Sequence, residues 1–318
     1  MATYTHFAKQ PDVLKHLILC EVLRNEAPQV YVETNSACAI YSMTQTPEQQ
    51  YGIYHFLEKA DDDKSLKDSI YYQLENPEMT KGNYLGSPAL AMNVLEKQAK
   101  RFVFFDLEKS ALENVGTYAK QVGLSASVEM HHADSSRGTI ELLPSLPSSS
   151  FIHIDPYEID KKGDSGVTYL DILIQATQLG MKCLLWYGFM TGDDKASLDN
   201  YITSSLEKAG IKDYIGVELT MNSIRKDNIL CNPGILGSGI LATNLSQISK
   251  DTILDYSNKL VDIYKDAKYK DYDGSLYIHT LKGEMKCDLN SYIVQDVRGE
   301  IYPCRQDIFE ETYMAVEE

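Results

Sequence analysis

Short apolar runs alternate along this chain with longer stretches in which apolar residues recur every third or fourth position. These are the periodicities of buried strands and amphipathic helices. The first helix follows Pro11. In PDVLKHLILCEVLRNE a proline stands at a first-turn position with Asp12 beside it, and Val13, Leu14, Leu17, Ile18 and Val22 keep the helical period. Pro28 punctuates, and QVYVET reads as a strand ending at Glu33-Thr34. GSPALAMNVLEKQAK opens a helix, with Ser87 as the predicted N-cap and Pro88 in the first turn. RFVFFD, SASVEMHHAD, the run from Phe151 to Ile154 and KCLLWYGF read as further strands. Helices in EKSALENVGTYAKQVG, GTIELLP and TYLDILIQATQLG separate them, and DDKASLDNYITSSLEKAG follows as another.

Strands alternating with helices predict a doubly wound parallel α/β sheet. YIGVELT and GILATNL have no helix between them, which predicts an antiparallel hairpin at one edge. Residues from about 45 to 85 are polar, rich in Tyr and Glu and broken by ADDDKS and ENPEMTKGN, and read as a helical insertion. After a helix over Asp251 to Tyr264 the pattern changes, and SLYIHTL and SYIVQDVRGEIYP read as short β segments. The expected organisation is a Rossmann-like domain over residues 1–265 and a small β addition over 266–318.

In such a sheet, ligands bind beyond the carboxyl ends of the strands. Those ends carry Glu33-Thr34-Asn35, Asp106, Asp134 and Asp155. An acid after the second strand suits the hydroxyls of a ribose, and one after the third suits an adenine amino group. This pattern fits nicotinamide nucleotides and S-adenosylmethionine alike. The turn after the first strand, ETNSACAIY, has small residues but no glycine, so the G-x-G-x-x-G pyrophosphate cradle is absent and a nicotinamide-dependent oxidoreductase is disfavoured.

Composition narrows this further. With 43% hydrophobic and 24% charged residues the chain has the make-up of a soluble globular protein, and no apolar run is long enough to span a bilayer. The N-terminus lacks the layout of a signal peptide, so a cytoplasmic location is expected and no membrane partner. Six scattered cysteines form no C-x-x-C pair. His131 and His132 lack a third ligand and point to opposite strand faces, so no metal is expected. The net charge of −16 weighs against extensive contact with phosphate backbones.

Taken in order, several segments resemble the RlmJ-type 23S ribosomal RNA adenine-N6 methyltransferases, over a span from the N-terminus to about Asn244. YTHFAKQPDVLKH is similar to that family's N-terminal Tyr, His-rich turn and D-V-L-K-H helix. YVETNSACAIY is similar to its D-T-H-A-G-A-G-x-Y turn, YLGSPALA to its P-G-S-P helix start, and FFDLEKSAL to its E-L-H-P segment. HHADSS stands where the family has A-D-G, FIHIDPYE where it has I-D-P-P-Y-E, LLWYGF where it has A-L-W-Y-P, and GSGILATN where it has A-S-G-M-I-V-I-N.

The resemblance implies a class I S-adenosylmethionine-dependent methyltransferase fold acting on adenine N6 in nucleic acid, RNA before DNA. Carried over by position, cofactor contacts fall on His16, Asn35, Ser87, Asp106, Asp134 and Ser135, with Glu33 closing the first strand beside them. The catalytic turn is Asp155-Pro156-Tyr157: Asp155 holds the adenine amino group, Tyr157 stacks on the base, and Tyr4 faces the substrate. The chain departs from the family in a turn one residue shorter than D-P-P-Y, in the missing glycines, and in Asn35 where the family has histidine. The short D-P-Y turn also resembles the three-Cys-motif partner proteins. A second reading therefore stands beside the first: a methyltransferase-derived module without transfer activity. It would bind a nucleotide-like ligand or, through the C-terminal addition, a protein partner, as in a phage-defence system.

Overall fold

Pro11 lies in the first turn of helix α1 (Gln10–Glu26), where its missing N–H has no partner to lose, and the Lys9 amide donates to Asp12 Oδ2 at 3.1 Å. The structure is a computed structural model that describes residues 4–163, 165–221, 225–226, 229–230, 235–264, 267–272, 276–280, 283–287, 291–295 and 301–312. After α1 come strand β1 (Val30–Glu33) and strand β2 (Ile40–Ser42). Helices α2 (Pro47–Gln49), α3 (His55–Ala60), α4 (Lys64–Lys67) and α5 (Ile70–Thr80) then form an excursion that returns through β3 (Asn83–Leu85), which pairs antiparallel with β2.

The regular alternation follows: α6 (Ser87–Leu95), β4 (Arg101–Asp106), α7 (Lys109–Gln121), β5 (Val128–His132), α8 (Ser135–Leu142), β6 (Phe151–Ile154), α9 (Tyr169–Gln178), β7 (Lys182–Phe189), α10 (Gly192–Lys208) and β8 (Tyr214–Met221). A short antiparallel pair, β9 (Arg225–Lys226) and β10 (Ile229–Leu230), precedes β11 (Gly237–Thr243), α11 (Gln247–Ile263) and β12 (Ala267–Tyr272).

The sheet runs β12-β8-β11-β7-β6-β1-β4-β5. Strands β5, β4, β1, β6 and β7 pair in parallel, while β11 is antiparallel to both β7 and β8. The predicted antiparallel hairpin of β8 and β11 is present near one end of the sheet, where β12 pairs outside β8 and makes the rim. All seven residues of β11 are buried, which two flanking strands require and an edge would not supply. One antiparallel strand inserted beside the last parallel strand is the topology of class I S-adenosylmethionine-dependent methyltransferases.

Alternation along the strands sends side chains to two apolar layers. Tyr31, Phe102, Phe104 and Phe151 face α1, α6 and α11, whereas Val32, Val103, Ile152 and Leu185 pack under α9 and α10. Each such side chain withdrawn from water contributes about 1.5–3 kcal/mol. Apart from Asp12, helix α1 is buried from Gln10 to Leu23, so Lys15, His16 and Glu21 are buried with it.

Two glycines bring remote backbones together. A Cβ at Gly86 would lie 2.0 Å from the Cys38 carbonyl oxygen, so only glycine lets α6 start against the turn after β1. A Cβ at Gly52 would lie 2.2 Å from the Ala8 carbonyl oxygen, where the Ile53 amide donates at 3.1 Å. Gly86, not Ser87, is the N-cap of α6. Ser87 is the first helical residue, and its hydroxyl turns inward. Helix α11 starts earlier than the sequence suggests, because Ser246 caps it by accepting from the Ser249 amide.

The chain divides into two compact units, Met1–Asp271 and Tyr272–Glu318. In the second, β13 (Leu276–Thr280) pairs with β14 (Gly283–Cys287) and β15 (Ser291–Gln295) with β16 (Ile301–Arg305), all antiparallel, before helix α12 (Gln306–Thr312). Among the described residues no helix is long and apolar enough to cross a membrane.

Candidate functional site

Beyond the carboxyl ends of β1 and β6 lies a cavity of about 680 Å³, within the range of sites that take small molecules. The N-terminal segment, α1, the turn after β1, the start of α6 and the Asp155-Pro156-Tyr157 turn form its wall. Tyr4, His16, Asn35, Ser87, Asp155, Pro156 and Tyr157 all line it. Glu33, Asp106, Asp134 and Ser135 do not, and each is engaged elsewhere.

Asp155 does not stand alone. Its Oδ2 accepts from Lys15 Nζ at 2.7 Å, with both side chains 10% exposed, and Asp12 Oδ1 lies 3.3 Å from the same ammonium. The ammonium also sits 5.2 Å from the ring centroid of Trp186, another wall residue. Burial opposes the charge on Lys15, but the carboxylates of Asp155 and Asp12 outweigh it and raise its pKa above the ordinary lysine value. Burial likewise raises Asp12, more than Lys15 and the Lys9 amide lower it. Sequence reasoning missed Lys15 and Trp186. The available signal was a lysine set in the middle of a helix whose neighbours are all apolar or buried.

Beneath the cavity floor, Glu33 and His153 are fully buried. Ser87 Oγ donates to Glu33 Oε1 at 2.5 Å, and Tyr31 OH donates to Glu33 Oε2 at 2.9 Å. With its own proton committed, the Tyr31 oxygen accepts from His153 Nδ1 at 3.0 Å, which assigns the His153 proton to Nδ1. Glu33 is therefore a structural anchor under the site. His16 Nδ1 bonds Tyr84 OH at 2.7 Å, and Tyr84 meets Tyr71 at 3.2 Å. Burial, followed by the nearby charge of Lys15, pushes the His16 pKa well below the ordinary value, so His16 faces the cavity as a neutral imidazole.

The turn after β1 does without glycine at a local cost. Ala37 takes φ 50°, the left-handed region that disfavours a side chain by about 1–2 kcal/mol. Its amide donates to Asp106 Oδ2 at 2.8 Å, and Asn114 Oδ1 accepts from the Ala39 and Ile40 amides at 2.9 and 3.1 Å. Together these bonds hold the strained conformation in place. Asp106 Oδ1 also accepts from the Glu108 amide at 2.7 Å and from Tyr4 OH at 2.8 Å.

Asp134 was expected to face an adenine. Its Oδ1 instead caps α8, accepting from the amides of Ser136 at 2.7 Å and Arg137 at 3.2 Å, because it follows β5 at a helix start. Ser135 Oγ meets Tyr169 OH at 2.9 Å, and Asn35 Nδ2 donates to the same hydroxyl at 3.1 Å. Tyr169 thus ties the turn after β1 to the start of α8. His131 stacks on Phe105 with centroids 4.7 Å apart, and among the described residues no group of three metal-capable side chains converges.

At the cavity mouth Tyr157 is 57% and Met190 53% exposed, and Tyr4 is 36% exposed, so these apolar side chains are presented to solvent. Among the charged wall residues, Lys9 and Lys15 balance Asp12 and Asp155, so the wall does not share the acidity of the whole chain. Buried atoms without a partner include Ser36 Oγ and Trp186 Nε1, both on residues of this wall.

No family model and no curated protein matches the chain. Solved structures do resemble it. A Legionella pneumophila protein of the family model DUF519 aligns with TM-score 0.65 and 20% identity, over 84% of this chain and 98% of that one. A SAM-dependent methyltransferase from Agrobacterium tumefaciens aligns with TM-score 0.42 and 12% identity, over 76% and 64%. An rRNA methylase from Streptococcus thermophilus aligns with TM-score 0.35 and 10% identity, over 76% and 100%. The Legionella likeness, spanning nearly all of that protein, concerns the fold alone.

Proposed function

We propose that this chain is an S-adenosylmethionine-dependent methyltransferase that modifies adenine N6 in nucleic acid, RNA before DNA. The observation that carries the reading is the gathering of Asp155, Tyr157, Tyr4, His16, Asn35 and Ser87 around one cavity at the strand ends. The wall suits the cofactor: the unpartnered Ser36 hydroxyl and the neutral His16 offer hydrogen bonds. When bound, the cofactor supplies a sulfonium methyl as electrophile.

The protein's part is positioning. Lys15 fixes Asp155 through Oδ2, leaving Oδ1 to accept from the amino group of a flipped-out adenine. That hydrogen bond aims the nitrogen lone pair and draws off positive charge as the nitrogen is alkylated. The exposed Tyr157 ring offers a stacking face for the base. The locally balanced charge of the wall admits a nucleotide despite the overall −16.

The test is incubation with isotope-labelled S-adenosylmethionine and ribosomal RNA or DNA, followed by nucleoside mass spectrometry. N6-methyladenosine should form, and Asp155→Asn should lower its rate by about 10²-fold or more. No labelled adenine on any substrate would sink the proposal. The rival, a module without transfer, draws on the ion-paired Asp155 and the shortened turn. Cofactor binding without turnover would favour it. A partner surface on the C-terminal unit belongs to that rival, and deleting residues 266–318 without losing any association would count against it.

A further inference from the structure

The main sheet ends at β5, and among the described residues β5 pairs only with β4. Its outer backbone groups are therefore open to another strand. Edge strands usually carry a guard, such as lysine, proline or a bulge. The sequence of β12, at the opposite rim, places Lys268 and Lys270 in the strand. β5 reads Val128-Glu129-Met130-His131-His132 in unbroken register with β4, so it has no such guard, and its central Met130 is 44% exposed.

Alternation assigns these side chains to two faces. Val128 and Met130 border a groove of about 420 Å³ along α7, beside Gly116, Ala119 and Lys120. A Cβ at Gly116 would lie 3.0 Å from Met130 Cε, so the glycine lets the thioether lie across the helix. On the other face Glu129 accepts from Arg101 Nε at 2.7 Å and Nη2 at 2.9 Å, and it lies 3.8 Å from His131. Glu129 and His131 both keep an exposed side at this edge.

We propose that β5 is the interface with a second copy of this chain, the two strands pairing antiparallel about a two-fold axis at Met130. A continuous sheet requires opposed residues to share a face, so the axis must pass through a residue position. At Glu129 it would set two carboxylates near each other as an opposed pair, which is unfavourable. At His131 it would set Met130 against an imidazole and leave Glu129 opposite Ala133. At Met130 the two thioethers meet over the grooves, and each Glu129 faces the His131 of the second copy. That imidazole can donate an N–H to the carboxylate in either charge state. Arg101 and Lys120 balance Glu129 and Glu113 along this edge, so the contact strip does not share the acidity of the whole chain. The axis reverses strand direction, so the two cavities open at opposite ends of the joined sheet. This interface is independent of the function proposed above.

The experiment is light scattering after gel filtration on the full chain at about 1–100 µM, for wild type, His131→Glu, Met130→Cys and Glu129→Cys. Melting curves serve as the control for folding. Wild type should reach twice the chain mass at the upper concentrations. His131→Glu sets carboxylates opposite each other on both sides of the axis and should weaken the dimer at least about tenfold. Directly opposed strand residues have Cα atoms about 4.5–5.5 Å apart, within the span of a disulfide. Met130→Cys should therefore cross-link under oxidised glutathione, beyond the level that the native cysteines give in wild type. The Glu129→Cys positions would lie on a diagonal of about 7–8 Å, too far to bridge, and should not cross-link. A wild type that stays monomeric throughout overturns the proposal, whether the edge stays free or takes a strand from another protein. A dimer in which Met130→Cys does not cross-link also overturns it, because the copies then meet elsewhere.

Discussion

Lys15→Met removes the ammonium that holds the centre of the site and keeps most of the volume of the side chain. In the native structure that ammonium lies 2.7 Å from Asp155 and 3.3 Å from Asp12, with the Lys15 and Asp155 side chains only 10% exposed. Two carboxylates would be left buried without their cation, a loss of about 3 kcal/mol or more. In a domain of this size that corresponds to a fall of roughly 6–12 °C in melting temperature. The pH dependence has a definite sign. The folded pKa of Lys15 is raised, so its contribution is complete below the unfolded value of about 10.4 and lost only as pH rises through the folded one. The folded pKa of Asp12 is also raised, so its protonated form is favoured in the fold. Asp12 stabilises fully below its unfolded value of about 3.9, and this contribution is lost as pH rises through the folded value. Without Lys15 that folded value climbs further, so the loss in the variant should shrink as pH falls. The chain's single tryptophan, Trp186, sits against Lys15 and reports the transition by fluorescence in urea. Adding Asp155→Asn to Lys15→Met should recover part of the stability. A loss under about 1 kcal/mol at pH 8, or no recovery in the double variant, would refute the assignment of a buried, mutually dependent pair.

Further outcomes follow from other buried groups. Burial first, then the charge of Asp199, pushes Glu218 up to about 7, although Lys195 pairs with it and Tyr187 OH donates to it at 2.8 Å. Stability from its protonated form is complete below its unfolded value of about 4.3 and lost as pH rises through 7, so Glu218→Gln should flatten the stability profile between pH 5 and 8. Thermal melts across that range decide it, and an unchanged slope counts against the shift. Gly52→Ala forces a Cβ against the Ala8 carbonyl and should cost about 1–3 kcal/mol. It should also speed amide exchange in residues 4–9, and protection equal to wild type there would show that Gly52 does not seat the segment carrying Tyr4.

Period and punctuation carried most of the fold. The two-residue period of Tyr31, Val32 and Glu33 sends neighbours to opposite layers, and any sheet built from such strands must have helices on both faces. The acids at strand ends were legible for the same reason: a polar residue closing an apolar run marks where the sheet ends and a ligand face begins. What those acids do was not legible. Asp106 meets Tyr4 from 102 residues away, and Asp155 meets Lys15 from 140 residues away. Asp134 turns back to cap its own helix, and Ser87 bonds Glu33 instead of capping. The expected hairpin of β8 and β11 is present, but β12 rather than β8 makes the rim of the sheet. A sequence pattern records which face of an element avoids water, and that much this chain determined by itself. Which groups come within 3 Å of each other depends on how whole elements are placed by packing. Only the tertiary structure decided that Tyr4 meets one carboxylate and Lys15 holds the other.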